Sequence, residues 1–272
     1  MPVGESALLS FYTTPHWMFM YGSVKWKLMQ HSDFVKLGLN HNLFMEFLSR
    51  GYRKSTYEKW KELPLIKAVS DGFIFSESTP KGALREIFVE EIYNVNGFTP
   101  EKNQTVIDVG ANYGDSAIWW SKKFGAKVIA FEPLDNVFKI LEENIALNKA
   151  DVEAYNLALG NGSDIIGNPE GTMLIKGGNV KFRTEKLDSF ALERVDILKI
   201  DVEGFEFEVI QGAEKTIRSL KPHIILETHS KELRSKCNEF LNELGYKLKF
   251  EGRTVTVKSP GMDKVTNLFY SV

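Results

Sequence analysis

Thr105-Val106-Ile107-Asp108-Val109-Gly110-Ala111-Asn112-Tyr113-Gly114-Asp115 decides how this chain folds. Thr105 to Val109 is a short apolar run suited to a strand buried on both faces of a parallel sheet. Gly110 permits a sharp turn and a close approach of a ligand to the backbone. Gly114 opens a helix predicted from Asp115 to Phe124, with Ala117, Ile118, Ser121 and Phe124 on one face. Free N–H groups at such a helix start suit a carboxylate or a phosphate.

The same alternation continues downstream. Lys127 to Phe131 reads as a second strand, and Val137, Ile140, Leu141 and Ile145 mark the next helix. Val152 to Leu159 reads as a third strand, and the Gly- and Asn-rich stretch Gly160 to Gly171 as a loop or hairpin tip. Asp196 to Ile200 is a fourth strand, followed by one helix through Val209, Ile210, Ala213, Ile217 and Leu220. Ile224 to Leu226 is a fifth, and Leu233, Cys237, Phe240, Leu241 and Leu244 face inward from a last helix. Tyr246 to Phe250 and Thr254 to Lys258 read as a final strand pair about Glu251-Gly252. Strands alternating with helices predict an α/β fold with an open, mostly parallel sheet.

Upstream of Thr105 the apolar spacing is irregular. Helices are expected between about 30 and 50, a short strand at Phe73-Ile74-Phe75, and a helix from Leu84 to Val95 closed by Gly97 and Pro100. The expected division is a mainly helical extension over 1–75, a cap on the substrate side, and the α/β domain over 76–272. Between Lys25 and Lys67, basic residues interleave with Trp26, Tyr52, Tyr57 and Trp60; a solvated helical face with core aromatics is expected, and a nucleic-acid surface is the alternative.

The 272 residues predict one or two domains, and 43% apolar with 26% charged residues excludes a disordered chain. Lys and Arg number 34 against 36 Asp and Glu, a net charge of −2, so the chain is not built around non-specific phosphate contact. The single Cys237 excludes an intramolecular disulfide and a Cys-rich zinc site, and its place on an inner helical stripe makes it a core residue. No apolar run of about 18 residues exists to span a membrane. The Trp17–Tyr21 patch is too short, with peripheral lipid contact as its alternative role, and the expected location is the cytoplasm.

Ligands of open α/β sheets bind beyond the carboxyl ends of the strands. Glu132 follows the second strand, 132 − 110 = 22 positions past Gly110, where an acid holds ribose hydroxyls. A dinucleotide site wants a second glycine where Asn112 stands, so an adenosyl cofactor without a diphosphate fits better and a nicotinamide cofactor is disfavoured.

These stretches, with Ala130-Phe131-Glu132-Pro133, Leu187-Asp188, Lys199-Ile200-Asp201-Val202-Glu203-Gly204-Phe205-Glu206 and Ile224-Ile225-Leu226-Glu227-Thr228-His229, resemble the FkbM-type S-adenosylmethionine-dependent methyltransferases over about Thr105 to Leu244. The resemblance implies a class I, Rossmann-like sheet of roughly seven strands whose last hairpin supplies the antiparallel one. It also implies methyl transfer from S-adenosyl-L-methionine to a hydroxyl of a sugar, glycan or other small-molecule acceptor. By position, Asp108, Gly110, Asn112 and Gly114 would line the methionine end, Glu132 the ribose, and Asn156 with Ala158 or Leu159 the adenine.

Removal of the acceptor proton needs a base or a metal ion. Glu227 and His229 are two apart, as are Asp201 and Glu203, so each pair shares a face of a regular strand and the four converge on one cleft. His229 is the expected base by its ordinary pKa. A hard cation held by Asp201, Glu227 and His229 stands second, and no metal is assigned. Glu206 reads equally as a helix-start acid, and Lys199 is left without a role. His223 lies at the opposite end of the sheet, and His16, His31 and His41 have no acidic cluster nearby in sequence. RNA methylation and a non-catalytic adenosyl-binding protein are the competing functions, and nucleic acid is not an expected partner.

Overall fold

A computed structural model describes residues 18–21, 24–27, 64, 68–170, 173–176, 180–259 and 262–272. The chain divides into two compact units, Met1–Gly72 and Phe73–Val272. In the first, β1 (Met18–Tyr21) and β2 (Val24–Lys27) form an antiparallel hairpin with Met18 opposite Lys27. The helices expected between 30 and 50 lie outside the described residues, as does most of the stretch from Lys25 to Lys67.

Residues 73–75, expected as a strand, open the second unit. They make no sheet ladder, because two asparagines take their backbone groups. Asn148 Oδ1 accepts from Ile74 N at 3.0 Å, Asn148 Nδ2 donates to Ile74 O, and Asn144 Oδ1 accepts from Ser76 N at 2.7 Å. The predicted helix from Leu84 to Val95 is shorter: α1 covers Leu84–Phe88, and the chain leaves it through Glu91 in the left-handed region at φ 49°.

From there the βα alternation is as predicted. β3 (Thr105–Val109), α2 (Asp115–Phe124), β4 (Lys127–Phe131), α3 (Asp135–Asn148) and β5 (Val152–Tyr155) follow in order. The third strand ends four residues early. β6 (Ala158–Leu159) pairs instead with β10 (Thr184–Glu185). The stretch expected as a loop after Gly160 carries β7 (Ile165–Glu170), which joins β8 (Met173–Lys176) and β9 (Val180–Phe182) in a separate antiparallel sheet. Gly, Asn and Pro at 167–169 disguise this strand, because its partners supply the ladder that composition disfavours.

β11 (Ile197–Ile200) leads into two helices rather than one, α4 (Glu206–Gly212) and α5 (Glu214–Leu220). The break lies at Ala213, and Asp188 caps the new start by accepting from Lys215 N at 2.9 Å and from Thr216 N at 2.8 Å. β12 (His223–Thr228) and α6 (Lys231–Glu243) follow, with Ser230 Oγ accepting from Leu233 N at the helix start. The last strands are β13 (Lys247–Ser259) and β14 (Met262–Ser271). The expected turn at Glu251-Gly252 is a shift of register inside β13, since Glu251 and Thr254 both face β14, at Leu268 and Thr266.

The main sheet has seven strands in the order β13-β14-β12-β11-β3-β4-β5, with β14 running against its neighbours. This is the class I, Rossmann-like arrangement. Ile107, Val109, Leu198, Ile200, Ile224 and Leu226 pack under Val209, Ile217, Cys237 and Leu241 in one buried layer. Chain order reverses between β3 and β11, which opens a crevice beyond their carboxyl ends.

Candidate active site

Gly110 turns the chain at the head of β3 with φ +80°. A Cβ there would lie 1.8 Å from the carbonyl oxygen of Asp201, so only glycine lets the two strand ends approach. The amides of Gly110 and Ala111 both donate to Phe131 O at 3.0 Å. What the turn presents to the cleft is Asn112, whose Oδ1 is buried with no hydrogen-bond partner among the described residues. Glu132 also lines the cleft, buried, with Oε2 accepting from Asn112 N at 3.1 Å and Oε1 from Leu134 N at 2.9 Å. Burial pushes the Glu132 carboxyl up to about 7, and those two amides hold it from rising further.

Gly110, Asn112, Glu132 and Ala158 share this cleft with Leu157, Leu159 and Ile165. Gly114 does not line it, and its amide donates to Ala111 O. Asn156 does not line it either: its Nδ2 donates to Glu132 O at 3.0 Å and so holds the loop that carries the acid. Asp108 lies beneath the floor, fully buried, accepting from Ser116 Oγ at 2.6 Å and paired with Lys199 Nζ at 2.9 Å. The register that sets Lys199 opposite Asp108 creates this pair. Lys199 also donates to Gly110 O at 2.7 Å and lies 3.8 Å from Asp201. Burial opposes its charge, but Asp108 and Asp201 raise its pKa above the ordinary lysine value. Asp115, on the same wall, is lifted by burial to about 7.

Four carboxylates surround His229, which follows β12. Its Nδ1 meets Glu206 Oε1 at 2.8 Å; its Nε2 meets Glu203 Oε2 at 3.1 Å, Glu227 Oε1 at 3.7 Å and Asp201 Oδ1 at 3.8 Å. The four groups expected to converge meet around His229, but of them only Asp201 and Glu203 line the cleft, and strand alternation alone does not bring them together. β11 ends at Ile200, and Glu203 reaches the histidine from a turn in which it holds φ 54°. Burial pushes the Asp201 carboxyl up to about 6 against the pull of Lys199, and burial and Asp201 raise that of Glu227.

At His229, the expected base, burial and charge oppose each other. Burial favours the neutral ring, yet Glu206, Glu203 and Asp201 raise its pKa well above the ordinary value. Asp201 and Glu203 line the cleft, while His229 lies behind them.

Sequence reasoning missed Tyr93 and undervalued Glu206. Glu206 is wholly buried, and its Oε1 also accepts from Gly204 N at 3.0 Å. Its place at a helix start hides that role. Tyr93 lines the cleft with its ring stacked on Trp120, centroids 5.4 Å apart. No sequence pattern signals that contact.

Residues 108–248 match the methyltransferase FkbM domain. Methyltransferase sdnD of Sordaria araneosa is 26% identical over 210 residues, covering 60% of this chain and 80% of that protein. Hexuronic acid methyltransferase AglP of Haloferax volcanii is 29% identical over 141 residues, covering 48% of this chain and 58% of AglP. The solved METTL16 methyltransferase domain covers 88% of this chain and 92% of its own length at a TM-score of 0.51 and 14% identity, a likeness of fold alone.

Proposed function

We propose, from the premise that this chain belongs to the FkbM methyltransferase family, that it methylates a hydroxyl of a sugar, glycan or other small-molecule acceptor with S-adenosylmethionine as donor. The observation that carries this reading is the cleft at the sheet's reversal point. It combines the Gly110 turn, a buried Asn112 oxygen without a partner among the described residues, and an acid at the end of β4. An oxygen left unpaired in a buried wall calls for a ligand donor, and the ammonium of a methionine moiety is one. One named relative supports the acceptor class, since AglP is a hexuronic acid methyltransferase.

When bound, S-adenosylmethionine supplies a methyl carbon on a sulfonium, attacked in line by an oxygen with departure of a neutral thioether. The chain's own work is alignment and proton removal. Glu132 accepts from the ribose hydroxyls and Asn112 from the amino-acid end. Leu157, Ala158 and Leu159 border the base. Asp201 and Glu203 face the acceptor hydroxyl, with His229 holding them in place. Such alignment is worth about 7–11 kcal/mol in favourable cases. The competing nucleic-acid reading rests on the basic stretch from Lys25 to Lys67 alone.

Calorimetry with S-adenosylhomocysteine tests the assignment. Binding is expected, with Glu132→Ala weakening it by about 1.5–3 kcal/mol, the scale of hydrogen bonds to a charged group. The reading fails if the wild-type protein does not bind, or if the substitution leaves affinity unchanged. Affinity should also follow pH. The ionised carboxyl is the ribose acceptor, and a value of about 7 leaves it mostly protonated at low pH. Binding therefore tightens as pH rises, by roughly tenfold between pH 6 and 8. In Glu132→Gln that part of the pH dependence disappears.

A further inference from the structure

We propose that Asp201 Oδ1, Glu227 Oε1 and His229 Nε2 bind one hard divalent cation, Mg²⁺ or Mn²⁺, beside the acceptor end of the cleft. These ligand atoms lie within 4.8 Å of one another. Nε2 stands 3.7 Å from Glu227 and 3.8 Å from Asp201, too long for hydrogen bonds; its hydrogen-bonding contact is Glu203 at 3.1 Å, which an ion at Nε2 would replace. Ligands of one ion bound at about 2.1 Å lie about 3.0–4.2 Å apart, so these separations suit a shared ion.

The supporting shell is built as a metal centre requires. Glu206, wholly buried, holds His229 Nδ1 at 2.8 Å and turns Nε2 toward the carboxylates. Asn267 Nδ2 donates to Glu227 Oε2, leaving Oε1 for the cluster. Lys199 reaches Asp201 only at 3.8 Å and is shared with Asp108 at 2.9 Å and Gly110 O at 2.7 Å, so it offsets one of the cluster's carboxylates in part.

Tyr93 adds an independent observation. Its side chain is 4% exposed and lines the cleft, and its hydroxyl has no hydrogen-bond partner among the described residues. Asp201 and Glu227 are the charges that act on it most, and in the proposed site the hydroxyl would meet a water or an acceptor oxygen on the ion. Two carboxylates and one imidazole select a hard or borderline cation over a thiophilic one. The cation's use rests on the methyl-transfer reading: an acceptor hydroxyl on the ion is acidified, and its proton passes to Glu203.

The test is titration of the EDTA-treated full chain with MnCl₂, read by the electron-spin resonance of free Mn²⁺. One saturable ion per chain is expected, displaced by excess MgCl₂. Asp201→Asn and Glu227→Gln should each weaken binding by about tenfold or more, and Glu206→Gln less than either. Far-ultraviolet dichroism and S-adenosylhomocysteine binding on the same samples confirm that the variants fold. The proposal is overturned if wild-type protein takes up no Mn²⁺ at about 1 mM, far above an ordinary sensor-site affinity. It is overturned equally if folded variants bind Mn²⁺ as wild type does. S-adenosylhomocysteine binding without Mn²⁺ uptake sinks the cation alone. Mn²⁺ uptake without S-adenosylhomocysteine binding sinks the methyl-transfer reading and leaves the cation site standing.

Discussion

Lys199→Met should cost the folded protein about 3–5 kcal/mol, the scale of breaking a buried ion pair by removing one partner. Asp108 is fully shielded from solvent, and Lys199 at 2.9 Å is its counter-charge. Without it, the carboxyl must lie uncompensated in the sheet or take up a proton. The strand end also loosens, because Lys199 Nζ donates to the carbonyl of Gly110. Urea unfolding followed by dichroism reads the loss. Adding Asp108→Leu to Lys199→Met should recover much of it, since no charge is then stranded. A loss below about 1 kcal/mol in the single variant would mean that Asp108 carries no buried charge.

Gly110→Ala is expected to lower stability by about 3 kcal/mol or more and to remove detectable S-adenosylhomocysteine binding. Two costs combine there. A φ of +80° strains any residue with a Cβ, and that Cβ would overlap the Asp201 carbonyl oxygen at 1.8 Å. Gly97 separates them. Its φ is +82°, yet nothing lies within 4 Å of the point where a methyl group would stand, so Gly97→Ala should show the strain alone, about 1–2 kcal/mol. Thermal unfolding of both variants in parallel is the measurement. Equal losses would refute the overlap.

The strand ends are legible in the sequence because buried parallel strands appear as apolar runs, and a polar residue closing such a run stands out. Asp201 and Glu227 stand out in this way, and Asp108 as a lone acid inside its strand. Lys199 carries a signal as well. A lysine inside Ile-Leu-Lys-Ile on a fully buried strand demands an anion beside it. Naming Asp108 as that anion requires the inter-strand register, which periodicity does not encode. The sequence locates His229 but not its chemistry, because its protonation depends on Glu206 and Glu203 reaching it through a turn. Tyr93 is invisible for a similar reason: its place depends on Trp120, distant in the chain. The β7–β9 sheet is hidden by residues that disfavour strands. In each case tertiary partners override local composition.

The way residues 73–76 are fastened to α3 separates variation from constraint. The segment contributes the main-chain N–H of Ile74, its carbonyl and the N–H of Ser76, while Asn144 and Asn148 contribute side-chain amides. Every amino acid except proline offers the same main-chain atoms. Sequence drift at 74 and 76 therefore leaves these bonds intact. At 144 and 148, exchanging the amide for a carboxylate would remove a donor that the fold uses twice at each position: toward Thr79 and Tyr113 from Asn144, and toward Ile74 and the carbonyl of Asn144 from Asn148. Natural variants should scatter freely on one side of this seam and hardly at all on the other.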